Sequence, residues 1–344
     1  MKTMRSQLLF AYLMYGTLTS CTSKENVTLS LKDSTTQANR QQAAVVDYRQ
    51  EMRNFVIGIS QYAKSRQPQF AIIPQNGHDL VTTDGEPNGP LATSYLQAID
   101  GVGREDLLFG YDNDNVATPA AETQTMQAFL NRIKTTKKVL ITDYCSGKTN
   151  MDKSYRTNNG NGYISFAADQ RELNHIPAYP ATPYGVNNSD ITQIMQAKNF
   201  LYIINPESAT KAKFLNDIAA TNYDLIIMDL YFDSATIFTA ADIDRLKRKA
   251  NGGKRLVVSY MSIGEAESYR YYWGATWKPG NPPFIREKDP NWKGNYYAAY
   301  WNLDWQHIIY GNDTSYLKKI LDSHFDGAYL DLIDAFEYFE GKRQ

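Results

Sequence analysis

Cysteine is almost missing from this chain. Cys21 and Cys145 are the only two in 344 residues, too few for a disulfide framework, so stability must come from a packed core, for which the length suffices. An excess of one charge is missing too. The 36 basic and 37 acidic residues give a formal net charge of −1, which leaves no basic face of the kind nucleic-acid binding needs. Four histidines, His78, His175, His307 and His324, are scattered, with no His-x-His or His-Glu-x-x-His spacing for a metal. No Gly-x-Ser-x-Gly elbow, no phosphate loop of the Gly-Lys-Ser/Thr type and no Gly-x-Gly-x-x-Gly fingerprint after a strand is expected to carry the chemistry. No cofactor is therefore expected, and carboxylates and aromatics remain as the carriers of chemistry.

A long apolar span is lacking as well. Lys2 and Arg5 precede an apolar stretch from Leu8 to Leu18, too short for a stable membrane anchor. It ends Leu18-Thr-Ser-Cys21, similar to a bacterial lipobox. Residues 1–20 are expected to be a lipoprotein signal peptide, with Cys21 becoming a lipidated N-terminus that holds the protein on the bacterial cell envelope. Residues 21–41 carry few large apolar groups and read as a flexible tether. Residues 42–344 read as a single domain, monomeric, with Cys145 a buried thiol.

Apolar residues at 45, 48, 52, 55, 56, 59 and 62 follow a helical period, which predicts a leading helix over 45–62. Strand one is expected at 70–74, strand two at 138–144 and strand three at 175–179. Strands four, five and six are expected at 200–204, 224–229 and 255–261, strand seven at 296–301, and strand eight at 327–330, ending in Asp331. Helices are expected at 91–99, 119–134, 190–198, 209–220, from 239 to the glycines at 252–253, and at 313–324. Thr118 is the expected cap of the second of these, and Thr239 with Asp242 approaches a capping box. Alternating strands and helices imply a parallel sheet, and eight strands over this length fit an α/β fold of the (β/α)8 TIM-barrel type.

Three of these strands end in acids: Asp229, then Glu265 and Glu267 just past Gly264, then Asp331 with Asp334 three residues on. An apolar strand has no structural need for a carboxylate, and burying one is costly unless it is paired or used. Each alone reads as well as a helix cap or a core ion pair. Together they match the way a barrel collects catalytic groups at the C-terminal ends of its strands. Residues 269–310 hold thirteen aromatics, all five tryptophans among them, interspersed with loop residues. That composition suits stacking against sugar rings. Glycoside hydrolysis needs two carboxyl groups, one protonated and one ionised, and crowded acids separate in pKa by repulsion. Tyr260 and Arg270 lie beside them in sequence. Two other classes stay open: a non-catalytic carbohydrate-binding lipoprotein, and a hydrolase using Asp229, Asp331 and Asp334 as metal ligands.

Four segments carry a family resemblance: Ala71-Ile-Ile-Pro-Gln-Asn-Gly77, Tyr260-Met-Ser-Ile-Gly-Glu-Ala-Glu-Ser-Tyr-Arg270, Asn295-Tyr-Tyr-Ala-Ala-Tyr-Trp301 and Asp326-Gly-Ala-Tyr-Leu-Asp-Leu-Ile-Asp-Ala-Phe-Glu-Tyr338. Over roughly residues 45–340 the chain resembles the TIM-barrel proteins of glycoside hydrolase family 114, the endo-α-1,4-polygalactosaminidase group. The resemblance implies an endo-acting hydrolase of a polysaccharide, with an α-1,4-linked galactosaminan the leading substrate. Carried over, Asp229 and Asp331 match acids at the family's strand ends, and Glu267 and Arg270 its glutamate and arginine. The catalytic candidates are thus Asp229, Glu265, Glu267 and Asp331, and the candidate substrate contacts Gln75, Asn76, Tyr260, Arg270, Tyr300, Trp301 and Asp334. One departure stands out: Leu332 follows the acid where the family usually has Asn.

Overall fold

The first helix, α1 (Tyr48–Arg66), buries Met52, Phe55, Val56, Ile59 and Ala63 along one face, the 3.6-residue stripe of an amphipathic helix. It belongs to a computed structural model that describes residues 46–342. The expected signal peptide and the whole tether, Cys21 included, lie outside the described residues. No helix among them is long and apolar enough to cross a membrane.

After α1 the chain alternates. β1 (Ala71–Pro74) leads to α2 (Thr93–Ala98), β2 (Gly101–Glu105) to α3 (Ala120–Ile133), and β3 (Lys138–Tyr144) to α4 (Lys148–Gly160). β4 (Ile164–Ala168) is followed by β5 (Phe200–Ile203) and α5 (Lys211–Ala219), then β6 (Leu225–Asp229), α6 (Ala240–Leu246) and β7 (Leu256–Ser262). β8 (Glu265–Glu267), β9 (Ile285–Lys288) and β10 (Asn295–Ala298) precede α7 (Leu303–Ile309), α8 (Tyr316–Asp322), β11 (Gly327–Asp331) and α9 (Ala335–Gly341).

Five parallel strands form one sheet in the order β1-β11-β7-β6-β5, and three more form a second in the order β2-β3-β4. A parallel bridge between Gln75 and Gly103 joins β1 to β2. Among the described residues no ladder links β4 to β5. The strands of the larger sheet are fully buried apart from Asp331, as expected of parallel strands covered on both faces. The architecture is mixed α/β.

Several sequence expectations change. No strand forms at 175–179, where His175 and Asn174 instead reach Asp169 and Glu207 through side-chain hydrogen bonds. The third member of the small parallel sheet is β4, followed by a long loop. The segment expected as strand seven pairs antiparallel, β10 lying between β8 and β9 in a separate small sheet. β2 and α4 fall in stretches where no element is expected from the sequence. The helix expected at 190–198 is a single 3-10 turn at Ile194–Gln196. Pro119, not Thr118, flanks α3, and the Thr118 hydroxyl is donated to the Asp106 carbonyl instead. At α6 the Thr239–Asp242 capping box forms in both directions, but the helix ends at Leu246.

Candidate active site

Five neighbouring strands each contribute one polar side chain to a single hydrogen-bonded chain at their C-terminal ends. From β7, Tyr260 donates its hydroxyl to Asp331 Oδ2 on β11 at 2.7 Å. Gln75, just past β1, donates Nε2 to Asp331 Oδ1 at 3.0 Å and to Glu105 Oε2 on β2 at 2.9 Å. Tyr144, ending β3, donates to the other oxygen of Glu105. Asn76 Nδ2 adds a third donor to Glu105 at 3.1 Å, and the Leu332 amide a third to Asp331 at 2.8 Å. Burial first and the adjacent carboxylates second push both phenols far above their usual range, so each keeps its proton and stays a donor.

Backbone conformation marks the same place. Each of the three central groups is followed by a non-glycine residue in the left-handed region: Asn76 at φ 63°, Asp106 at φ 58° and Leu332 at φ 59°. For a residue such as leucine this costs roughly 1–2 kcal/mol, and such outliers gather where function over-determines the backbone. Gly264 packs so closely that a Cβ there would overlap the Leu332 carbonyl oxygen. This contact holds the strained turn from the β7–β8 side.

Asp331 and Glu105 are both half-buried, and among the described residues neither forms an ion pair. Burial, and next the Glu105 charge, push the Asp331 carboxyl up to about 7 against the pull of its Tyr260 and Leu332 donors. Asp334 rises to about 7 through burial and the neighbouring Glu337. Asp106 rises to about 6 through burial and Glu105, restrained by Arg171, whose guanidinium donates to it at 3.0 Å and lies 3.8 Å over the Tyr144 ring.

A second pair of acids is treated differently. Arg270 makes a bidentate pair with Asp229 at 2.8 and 2.6 Å and a further bond to Glu267 Oε2 at 2.6 Å. The three side chains are 8%, 7% and 2% exposed. Glu267 also accepts from the Tyr269 hydroxyl at 2.6 Å. These two carboxylates share one buried cation, the arrangement of a fixed wall.

The remaining sequence candidates divide between this cluster and the core. Glu265 is 1% exposed, bonded by Asn295 Nδ2 at 3.0 Å, and pushed up to about 9 chiefly by burial. Gln75 is buried with its amide spent on the two acids. Asn76 is half-buried, its Oδ1 taking the Glu105 amide and Arg104. Tyr300 is fully buried with its hydroxyl on the Tyr48 carbonyl, which leaves no face for a substrate. Trp301 packs on Tyr48 and Phe339. Within the 269–310 segment the exposed aromatics are Tyr269, Tyr271 and Trp292 instead. Cys145 is buried, as expected. Gly147-Lys148-Thr149, the tail of a phosphate-loop pattern, does open α4. However, Thr142 stands where the leading glycine belongs, and the Ser146 amide is bound to Asn115.

Sequence reasoning missed Glu105 and Tyr144. Glu105 was findable by count, since the helices at 91–99 and 119–134 leave no strand between them in an alternating fold. Asp229, Asp331 and Asp334 do not converge. Among the described residues no group of three or more His, Cys, Asp or Glu side chains could hold a metal ion.

No family model matches the chain. It is 34% identical over 158 residues, 44% of its length and 42% of the relative's, to an uncharacterized protein of Methanocaldococcus jannaschii. An uncharacterized protein of Deinococcus radiodurans is 35% identical over 128 residues, covering 37% of this chain and 39% of that one. One from Thermotoga maritima is 34% identical over 123 residues, 36% of each. The chain thus matches about two fifths of the length of these curated relatives, and their descriptions carry no activity to weigh against the site.

Proposed function

We propose that this protein is an endo-acting glycoside hydrolase of the family-114 type, built on a TIM barrel and anchored to the bacterial cell envelope through lipid on Cys21. Its substrate is a polysaccharide, with an α-1,4-linked galactosaminan the first to try. For the barrel, the Gln75–Gly103 bridge supports joining the two parallel sheets at one edge, and at the other the Phe166 ring of β4 lies 5.9 Å from Phe200 of β5. Across the interior, Tyr329 of β11 packs on Tyr202 of β5 at 5.2 Å.

The observation that carries the chemistry is the pair Asp331 and Glu105, two half-buried carboxyl groups that form no ion pair among the described residues, bridged by one amide. Bonds of 2.9 and 3.0 Å diverging at about 120° from one nitrogen put the acceptor oxygens roughly 5 Å apart. That separation suits a retaining hydrolase. Asp331 gives its proton to the glycosidic oxygen as the bond to the anomeric carbon breaks, and Glu105 attacks that carbon. Water, deprotonated by Asp331, then displaces Glu105 and restores both groups. The Arg270-clamped acids form the adjoining wall, and the exposed rings of Tyr269 and Trp292 suit flanking sugars.

The test is a panel of polysaccharides that includes de-N-acetylated galactosaminan, with products identified by mass spectrometry in the presence and absence of a chelator. Cleavage that survives chelation supports the proposal. Binding without cleavage makes the protein a carbohydrate-binding lipoprotein, and cleavage restored only by a divalent ion makes it a metal-dependent hydrolase.

A further inference from the structure

Two acid pairs occupy the same end of the strands, and they are bridged by opposite means. Arg270 places a full positive charge between Asp229 and Glu267. Gln75 places a neutral amide between Asp331 and Glu105. Gln75 is 2% exposed. Its backbone amide is bound to the Leu330 carbonyl at 2.7 Å, and the next amide, of Asn76, to the Gly103 carbonyl at 2.8 Å. The peptide is thus fixed to β11 on one side and β2 on the other. Its Oε1 is buried with no donor, so the two carboxylates alone orient the side chain. Turning the amide over would point its oxygen at both of them.

A guanidinium between two carboxylates gives each a positive partner. A neutral amide keeps the same spacing and leaves the repulsion in place, which one proton relieves. Resting on the acid-pair reading above, we propose that Gln75 is a positioning residue. Its neutral amide sets the separation of the Asp331 and Glu105 carboxyl groups and, by carrying no charge, leaves the pair in need of the proton that the reaction uses. Gln75 touches no substrate in this role, which differs from the substrate contact expected of it from the sequence.

The test needs no substrate. The full chain, labelled with 13C at its Asp and Glu carboxyl groups, is titrated by NMR as the parent, as Gln75→Met and as Gln75→Lys, with melting temperatures measured alongside. Methionine removes the two donated hydrogens, so the midpoint of the pair should rise by about one pH unit or more; lysine supplies a cation, so it should fall by a similar amount. Arg104, Arg171, Asp106, Asp334 and Glu265 surround the pair and are unchanged, so opposite shifts report on the spacer. A residue that merely supports the fold would lower both melting temperatures and move neither midpoint, and that result overturns the proposal. Should neither variant fold, Glu105→Gln leaves Gln75 in place and must lower the Asp331 midpoint by about one unit or more. An unchanged midpoint there also overturns it. If the midpoints shift while the parent cleaves no polysaccharide, the role of Gln75 stands and the glycosidase proposal falls. If the parent cleaves and the midpoints do not move, the glycosidase proposal stands and the role of Gln75 falls.

Discussion

Glu265 offers a prediction whose sign and size both follow from its surroundings. It opens β8 almost wholly buried. Asn295 donates to one of its oxygens, while the other, Oε1, has no donor and the Asp289 carboxyl, itself 7% exposed, stands beside it. Asp289 is held in turn by the Asn291 amide at 2.7 Å. Two buried carboxyl groups in contact are satisfied only by a proton between them. Burial chiefly, then Asp289 and Asp331, raise Glu265 from 4.5 to about 9. The folded state therefore keeps a proton that the unfolded chain releases, so stability is greatest below pH 4.5 and falls as pH rises toward 9. At about 1.4 kcal/mol per unit the penalty at pH 7 is of the order of 3 kcal/mol. Glu265→Gln supplies a permanent donor toward Asp289 and an acceptor for Asn295 in the same shape. The variant should match the parent near pH 4 and exceed it at pH 7 by up to ~3 kcal/mol, or roughly 6 °C in melting temperature. Thermal denaturation of both proteins from pH 4 to 9 measures this, since the difference between them cancels every other titrating group. A gap that does not widen with pH, or a variant less stable than its parent at pH 7, refutes the shared proton.

Arg270→Met should leave Asp229 and Glu267 as uncompensated buried charges and cost about 3–5 kcal/mol, visible as a lower urea midpoint; an unchanged midpoint would mean the triad is solvated. Leu332→Asn places in the left-handed turn a residue that tolerates it, and should raise stability by about 0.5–1 kcal/mol. A loss would show that the leucine side chain packs better than its backbone is strained. Cys21→Ser should release the protein from the detergent phase into the aqueous one, and a parent that is already aqueous would end the lipid-anchor proposal.

Asp331 is legible in the sequence because the strand Gly327 to Leu330 runs directly into an acid and two other strands deliver acids in the same way. Glu105 is hidden because its strand, Gly-Val-Gly-Arg-Glu, has two glycines and one β-branched residue, a poor strand by composition. Its pairing to β3 is set by neighbours, and Gly103 is the position where a side chain would strike the Tyr329 hydroxyl. Tertiary packing, not local preference, makes it a strand. The Tyr296–Trp301 segment shows the reverse error: its β character is real, but its partners are β8 and β9. Alternation cannot separate a parallel strand from a hairpin arm. The acids at 229 and 267 stand out at their strand ends, with Arg270 close to the second in sequence, but no sequence signal shows that one guanidinium would hold both.

Turnover in Asp331→Asn and Glu105→Gln, set beside Asp229→Asn and Glu267→Gln, tests the central claim most directly, on whichever polysaccharide the parent cleaves. The first two should each lower turnover by ~10²-fold or more, the lower end of what a positioned acid or base supplies, while leaving the melting temperature equal or higher because repulsion is relieved. The other two should lower the melting temperature sharply, by unpairing Arg270. Full turnover in Glu105→Gln, or a loss confined to Asp229→Asn and Glu267→Gln in proteins that remain stable, would contradict the account and move the chemistry to the acids that Arg270 holds.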